Sequence, residues 1–252
     1  MIVGAILAAG KGSRLGLSTK NKTTTLVAGK PLLAYAFDAF ENVVDEIVTV
    51  VGYKSDSVKK SLAKKHTTFV HQNEPRGTGD AVGRIVNHFE NSNQFHPSTL
   101  LVGNGDNMLF LSSSIITDLL REHKQNSNCI TVLTFYSTNW RLDNGRVIKD
   151  VNGQIKRIVE AKSASDEELR ITELNSGFYC FDYSFVRNNI KKIAPDKKSG
   201  EIQLTKLIEL AVQSKLPVSS YMIRNSGIGM GVNTKNQLQR VRELKKRDSS
   251  VC

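Results

Sequence analysis

The residues best suited to chemistry come early. Leu7 to Gly16 reads LAAGKGSRLG and follows directly on the apolar run Ile2 to Leu7. An apolar run closed by glycines reads as a buried strand ending in a turn. Gly10, Gly12 and Gly16 can adopt the left-handed conformations that aim successive backbone N–H groups at an anion, and Lys11 and Arg14 add full charges to those partial ones. No Gly-Lys-Ser/Thr closes the loop as in a Walker motif, and it lacks the immediate helix and ribose-binding acid of a dinucleotide fingerprint. Further on, Asp106 ends GNGD after the strand-like residues Thr99 to Val102. A carboxylate exposed at a strand end can hold a hard divalent cation, or serve as a turn or helix cap. Gly77-Thr-Gly-Asp-Ala-Val opens a helix whose first turn offers free N–H groups.

Strands must hold these loops together. Pro31 to Phe40 combines proline at a helix start with helical apolar spacing, Glu46 to Gly52 reads as a second buried strand, and Ser55 to Lys65 as a helix opened by Ser/Asp capping. Thr67 to Gln72 is a third strand and Thr99 to Val102 a fourth. This βαβαβα rhythm predicts a parallel sheet with right-handed crossovers and a ligand crevice at the strands' carboxyl ends, the edge where every loop named above falls. Ser112 to Gln125 reads as a helix and Cys129 to Ser137 as a strand. Arg146 to Lys162 alternates around Asn152-Gly153, a type I′ hairpin signal, and Ser163 to Arg170 is a polar loop. Leu174 to Phe181 reads as a strand, Tyr183 to Ile193 and Glu201 to Lys215 as helices, and Pro217 to Ile223 as a last strand before a basic helix. The fold class expected is α/β, a Rossmann-like mostly parallel sheet with a smaller mixed β/α lobe over the crevice.

The chain's 252 residues suffice for a full core. No apolar run reaches the roughly eighteen residues of a membrane span, and no cationic segment, apolar stretch and cleavage site open the chain, so a cytoplasmic location is expected. Cys129, Cys180 and Cys252 are odd in number and widely spaced, which argues against a disulfide framework or a zinc site. A net charge of +11 asks for an anionic partner. Much of the excess lies in helical patches, KKSLAKK and RVRELKKR, that read as solvated faces. With no RNA-recognition aromatic motif, zinc finger or helix-turn-helix pattern, neither nucleic acid nor membrane is the expected partner.

Taken in order, LAAGKGSRLG, Lys22, VAGKPLL (27–33), QNEPRGTGDA (72–81), GNGD (103–106), VEAK (159–162), LNSG (174–177), GEIQLT (200–205) and GVN (231–233) resemble the sugar-phosphate nucleotidyltransferases. Within them the chain is most similar to the uridylyltransferase domain of the N-acetylglucosamine-1-phosphate enzymes. The resemblance implies one domain over 1–252, with 1–107 for the nucleotide and 108–252 for the sugar. The phosphate of a sugar-1-phosphate would attack the α-phosphorus of a nucleoside triphosphate, UTP favoured, and release pyrophosphate. With a second pKa of about 6 that nucleophile is already ionised near neutrality, so the reaction asks for cations and positioning rather than a general base.

The resemblance also implies roles. Asp106 and Asn233 would hold Mg²⁺, which keeps few protein ligands. Arg14 and Lys11 would bind the β- and γ-phosphates, and Lys22 the α-phosphate. Lys20 is a rival, because Asn21-Lys22 stands for the family's Pro-Lys and LSTKNK is one residue longer. Leu7, Ala8, Gly10 and Gly12 would contact the nucleotide through backbone, Gln72 would read the pyrimidine edge, and Gly77 and Thr78 would seat the base. Gly145, Glu160 and Asn175 would face the sugar or ribose, with Glu201 and Thr205 lining its pocket. Two departures thin the aromatic surface: Asn104-Gly105-Asp106 for Tyr-Gly-Asp, and Gln203 within GEIQLT for GEYYLT. The alternatives are the same chemistry with CTP and a phosphorylated alcohol or phosphocholine, and a non-catalytic nucleotide-sugar sensor. Retention of Arg14, Lys22, Asp106 and Asn233 speaks against the sensor. No hexapeptide-repeat segment follows, so acetyl transfer is not implied, and the oligomeric state is left open.

Overall fold

The computed structural model describes residues 1–92, 96–224 and 227–249. The strands are β1 (Ile2–Ala8), β2 (Leu26–Val27), β3 (Lys30–Pro31), β4 (Glu46–Val51), β5 (Thr68–His71), β6 (Thr99–Asn104), β7 (Ile130–Tyr136), β8 (Arg146–Lys149), β9 (Ile155–Val159), β10 (Glu173–Asp182) and β11 (Val218–Ile223). The helices are α1 (Leu32–Phe40), α2 (Ser55–Ser61), α3 (Thr78–Glu90), α4 (Ser113–Gln125), α5 (Asp166–Leu169), α6 (Tyr183–Asn189), α7 (Lys206–Gln213) and α8 (Lys235–Ser249).

One sheet carries the strand order β11-β7-β10-β6-β1-β4-β5. Every neighbouring pair is parallel except those made by β10, which runs antiparallel to both β6 and β7. β8 pairs with β10 and with β9, which ties the small mixed lobe into the same sheet. Successive residues of β1 feed opposite cores. Val3, Ala5 and Leu7 join Val82, Ile85 and Phe89 of α3 and Leu207 and Ile208 of α7, while Ile6 and Ala8 join Phe37 and Phe40 of α1 and Leu119 of α4. Strands buried on both faces explain the unbroken apolar runs. Chain order reverses direction between β1 and β6, the switch point at which an α/β sheet opens a crevice.

A third, smaller core joins Leu15 of the entrance loop to Val27, Leu32, Leu109, Val232 and Val241. It docks α8 against the start of the chain, aided by Lys245 lying 4.6 Å from the ring centre of Phe110. The C-terminal basic helix is thus partly a docking element rather than only a solvated face.

Several expected elements differ. Glu201 to Gln203 is not helical and α7 begins only at Lys206, because Ile202 bonds Arg76 O and Gly79 N, both at 2.7 Å, and Leu204 N donates to Thr78 Oγ1. The 146–162 hairpin turns without a left-handed Asn152. Gly153 alone has positive φ, its N–H donates to Asp150 O, and the Asp150 carboxylate takes two further N–H groups, a type I turn with a glycine bulge. Residues 163–170 contain α5, opened by a Ser165/Glu168 capping box. The cap of α2 is Lys54, in a left-handed conformation and without a side-chain cap bond, rather than Ser or Asp. The β2–β3 hairpin turns at Ala28 and Gly29, both at positive φ. Cys129 and Cys180 are buried and free, and Cys252 lies outside the described residues.

Candidate active site

The entrance loop leaves β1 with its backbone open. Among the described residues the N–H groups of 10–14 donate to no backbone or side-chain acceptor, which leaves five successive donors unpaired in the loop after β1. Gly12 (φ 59°) and Gly16 (φ 71°) are left-handed as expected, but Gly10 is not, and a Cβ built there would meet no atom within 4 Å. Leu7 and Ala8 are buried at the end of β1. The loop is pinned by Asn21, which is fully buried. Its amide nitrogen faces the carbonyls of Ala8 (2.9 Å), Gly10 (3.2 Å) and Tyr53 (2.8 Å), and its oxygen caps the turn Lys22–Thr24 by accepting from Thr23 N. Asn21 therefore sets both the loop's path and the direction in which Lys22 leaves it. From sequence Asn21 stands out only as a departure from the family's Pro-Lys, although an Asn before a Lys-Thr-Thr turn is a capping signal.

Lys22 Nζ lies 2.7 Å from Asp106 Oδ2 and 2.8 Å from Asn233 Oδ1. Two oxygens far apart in sequence thus converge on one cation position. Asp106 is brought there by the turn after β6, where Gly105 N bonds Leu7 O, and Val232 N bonds Asp106 O from the other side. Asn233 is left free of capping duty, because Thr234 and Gln237 exchange side-chain and backbone bonds as a box at the start of α8. Behind both oxygens is Gly231, where a Cβ would stand 3.1 Å from Asn233 Nδ2 and 3.8 Å from Asp106 Oδ2. The donor set fits Mg²⁺: one carboxylate and one neutral amide oxygen, hard ligands, already gathered around an ammonium that stands in for a cation. Among the described residues no group of three or more His, Cys, Asp or Glu offers a rival metal cluster. Lys20 makes no contact with either oxygen, and Lys11 is exposed.

Arg14 is exposed and pairs at 3.1 Å with Asp143, so the entrance loop reaches across to the loop before β8. That second loop is built on Arg146, which is wholly buried and has burial pushing its guanidinium pKa down. Its donors meet the carbonyls of Leu142 (2.7 Å), Trp140 (2.6 Å) and Asn144, wrapping residues 140–145 around one cation. Neither Asp143 nor Arg146 was singled out from sequence. An Arg inside an alternating apolar strand was the available signal.

On the base side, Gln72 is buried at the end of β5, its amide nitrogen bonded to Gly77 O (3.0 Å) and Asp80 Oδ2 (2.7 Å). Gly77 needs its missing Cβ, with φ at 107° and Ile202 O only 2.6 Å from where that atom would sit. The Thr78 hydroxyl accepts from Leu204 N, which fixes the oxygen and leaves its O–H to donate. On the sugar side, Glu160 follows β9 and its carboxyl pKa is raised, chiefly by burial and further by Glu201, with Thr205, Lys162 and Lys206 pulling it back. The Asn175 side chain is largely spent internally, giving to Tyr179 Oη at 2.7 Å and taking Gly177 N at the β10 bulge. Gly145 offers its carbonyl to Asn175 N, and a Cβ there would meet Ile158 at 2.7 Å.

A separate groove of about 670 Å³, lined by Phe37, Glu41, Asp45, Lys64, His66 and Thr67, opens at the amino ends of β4 and β5. It lies at the sheet edge opposite the glycine loops and gathers no comparable set of converging groups. No helix among the described residues is long and apolar enough to cross a membrane.

A doubly wound sheet with this crevice is the fold of the nucleotide-diphospho-sugar transferases. Residues 4–142 match the MobA-like NTP transferase domain, and the chain belongs to that family. It is 34% identical over 243 residues to the bifunctional protein GlmU of Lactobacillus gasseri, covering 96% of this chain and 51% of the relative. With GlmU of Acetivibrio thermocellus the figures are 31% over 238 residues, 94% and 50%. The chain thus spans about half the length of the curated relatives it matches. Among solved structures it is similar to a Bacillus anthracis protein assigned as a glucose-1-phosphate thymidylyltransferase, with a TM-score of 0.77, 21% identity, and coverage of 97% of this chain and 95% of that one, a likeness of fold.

Proposed function

We propose that this chain condenses UTP with a sugar-1-phosphate, N-acetylglucosamine-1-phosphate or a related hexosamine or hexose phosphate, to give a nucleotide sugar and pyrophosphate with the help of Mg²⁺. The observation that carries the reading is the convergence of Asp106 and Asn233 on one cation position beside the open N–H groups of residues 10–14. Asp106 and Asn233 would hold the ion, which when bound would supply positive charge against the charge that develops on the phosphates. The sugar-phosphate oxygen forms a new bond to the α-phosphorus as the α–β bridging bond breaks, its electron pair leaving with pyrophosphate. Lys22 neutralises the non-bridging oxygens of that phosphorus, while Arg14, Lys11 and the loop N–H groups take the departing phosphates. Glu160 and Glu201, with Thr205 between strand and helix, form an acceptor-rich wall suited to sugar hydroxyls.

Pyrophosphate release measured across the nucleoside triphosphates and a panel of sugar-1-phosphates and phosphorylated alcohols tests this reading. Turnover is expected with UTP and an amino-sugar or hexose phosphate, and is expected to vanish in EDTA and in Asp106→Ala. Undiminished turnover in EDTA would overturn the metal assignment, and no release with any pair would overturn the activity.

A further inference from the structure

At the base end of the crevice the buried Gln72 amide has its direction dictated by its neighbours. Gly77 O and the Asp80 carboxylate both only accept hydrogen bonds, so the amide group that faces them must be the NH₂, whichever way it is drawn. Both amide hydrogens are therefore committed. Among the described residues no donor meets the amide oxygen, which is left to accept. Asp80 is itself fixed: its other carboxylate oxygen takes a bond from Arg84 Nη2 at 3.3 Å, one helical turn along α3. Beside the amide, the Gly77 N–H donates to no described acceptor. The site thus offers one acceptor and one donor. Uracil and thymine present the complement, an N3–H donor flanked by carbonyl oxygens, whereas cytosine presents an N3 acceptor next to an amino donor.

Building on the uridylyl-transfer reading, we propose that Asp80 is a positioning residue for base choice: by holding the Gln72 nitrogen it turns the amide oxygen toward the base and selects imide-edged pyrimidines, uracil or thymine, over cytosine. In Asp80→Asn, Arg84 claims the new amide's oxygen and its NH₂ faces Gln72. The preferred orientation of Gln72 then no longer leaves only an oxygen free.

The test is calorimetric titration of the full chain with UTP, dTTP and CTP in Mg²⁺, on variants first shown by thermal melting to be folded. The wild type is expected to bind UTP and dTTP at least about tenfold more tightly than CTP, roughly the worth of one hydrogen bond made rather than opposed. In Asp80→Asn that ratio is expected to fall below about threefold, and Asp80→Glu, which restores an acceptor, to recover part of it. Should Asp80→Asn not fold, Gln72→Met reads the same ratio and is also expected to lose it. A wild type that does not discriminate, or a folded Asp80→Asn or Gln72→Met that keeps the full preference, would overturn the proposal and leave the nucleotidyltransferase reading standing. A wild type that binds no triphosphate would overturn both.

Discussion

Lys22 Nζ and Asp106 Oδ2 meet at 2.7 Å, joining positions 84 residues apart, with only 16% and 8% of their side chains exposed. Truncating one partner of so shielded a pair strands the other charge. Lys22→Met is expected to lower stability by about 3 kcal/mol in EDTA. Millimolar Mg²⁺ is expected to return part of that loss, because the ion can occupy the vacated position. Urea unfolding with and without Mg²⁺ checks this, and an equal loss in both would show that the position does not take metal.

Gly10 and Gly12 make opposite predictions. A methyl at Gly12 would stand 2.9 Å from Lys22 Cβ at a φ of 59°. Gly12→Ala is therefore expected to cost about 1–2 kcal/mol and to displace Lys22. At Gly10 a methyl meets nothing in the protein, so Gly10→Ala is expected to change stability by less than about 0.5 kcal/mol. It should nevertheless weaken UTP binding, since the methyl stands where phosphate oxygens would approach open N–H groups. Thermal melts paired with UTP titration separate the two. Unchanged UTP affinity in Gly10→Ala would place the phosphates elsewhere.

Arg14 and Asp143 form an exposed pair whose contribution to stability is about 0–1 kcal/mol. Asp143→Asn is expected to leave the melting temperature nearly unchanged while lowering the KM for the triphosphate, because Arg14 no longer has to leave a carboxylate. Arg14→Ala is expected to raise that KM about tenfold, the loss of one charge-assisted contact. A KM unchanged in both variants would remove Arg14 from the phosphate site.

Glu160 gives the chain a pH signature. Burial holds its carboxyl above the ordinary range, so the native state keeps this proton more tightly than the unfolded chain. The resulting contribution is complete below the ordinary carboxylate range and is lost as pH rises through the raised value. Glu160→Gln removes the titration. The melting temperature of the variant, relative to wild type, is expected to climb as pH rises above the ordinary glutamate value of about 4.3. A flat difference would mean that Glu160 titrates normally.

Local sequence carried the sheet well and the site only in outline. β1, β4 and β6 were legible because strands buried on both faces must be continuously apolar, and the loops beyond them because glycines mark turns. Long-range bonds were not. Glu201 to Leu204 has helical spacing, yet Ile202 is held out of the helix by Arg76 and by Gly79 in the first turn of α3. The Asn233 carbonyl reaches Lys22 across 211 residues, and nothing near either residue announces the other. The resemblance gives Asn175 and Thr78 roles toward the ligands. In the fold Asn175 bonds Tyr179 and Thr78 bonds Leu204. Polarity shows that a group needs a partner, and topology decides which partner it finds.

The proposed Mg²⁺ site is the oxygen pair around Lys22. UTP affinity measured calorimetrically in Mg²⁺ and in EDTA, on wild type and on Asp106→Ala, addresses it most directly. Mg²⁺ is expected to tighten UTP binding to the wild type by at least about tenfold, and to have no such effect once the carboxylate is gone. Binding that ignores Mg²⁺ in the wild type, or keeps the same Mg²⁺ dependence without Asp106, would contradict it.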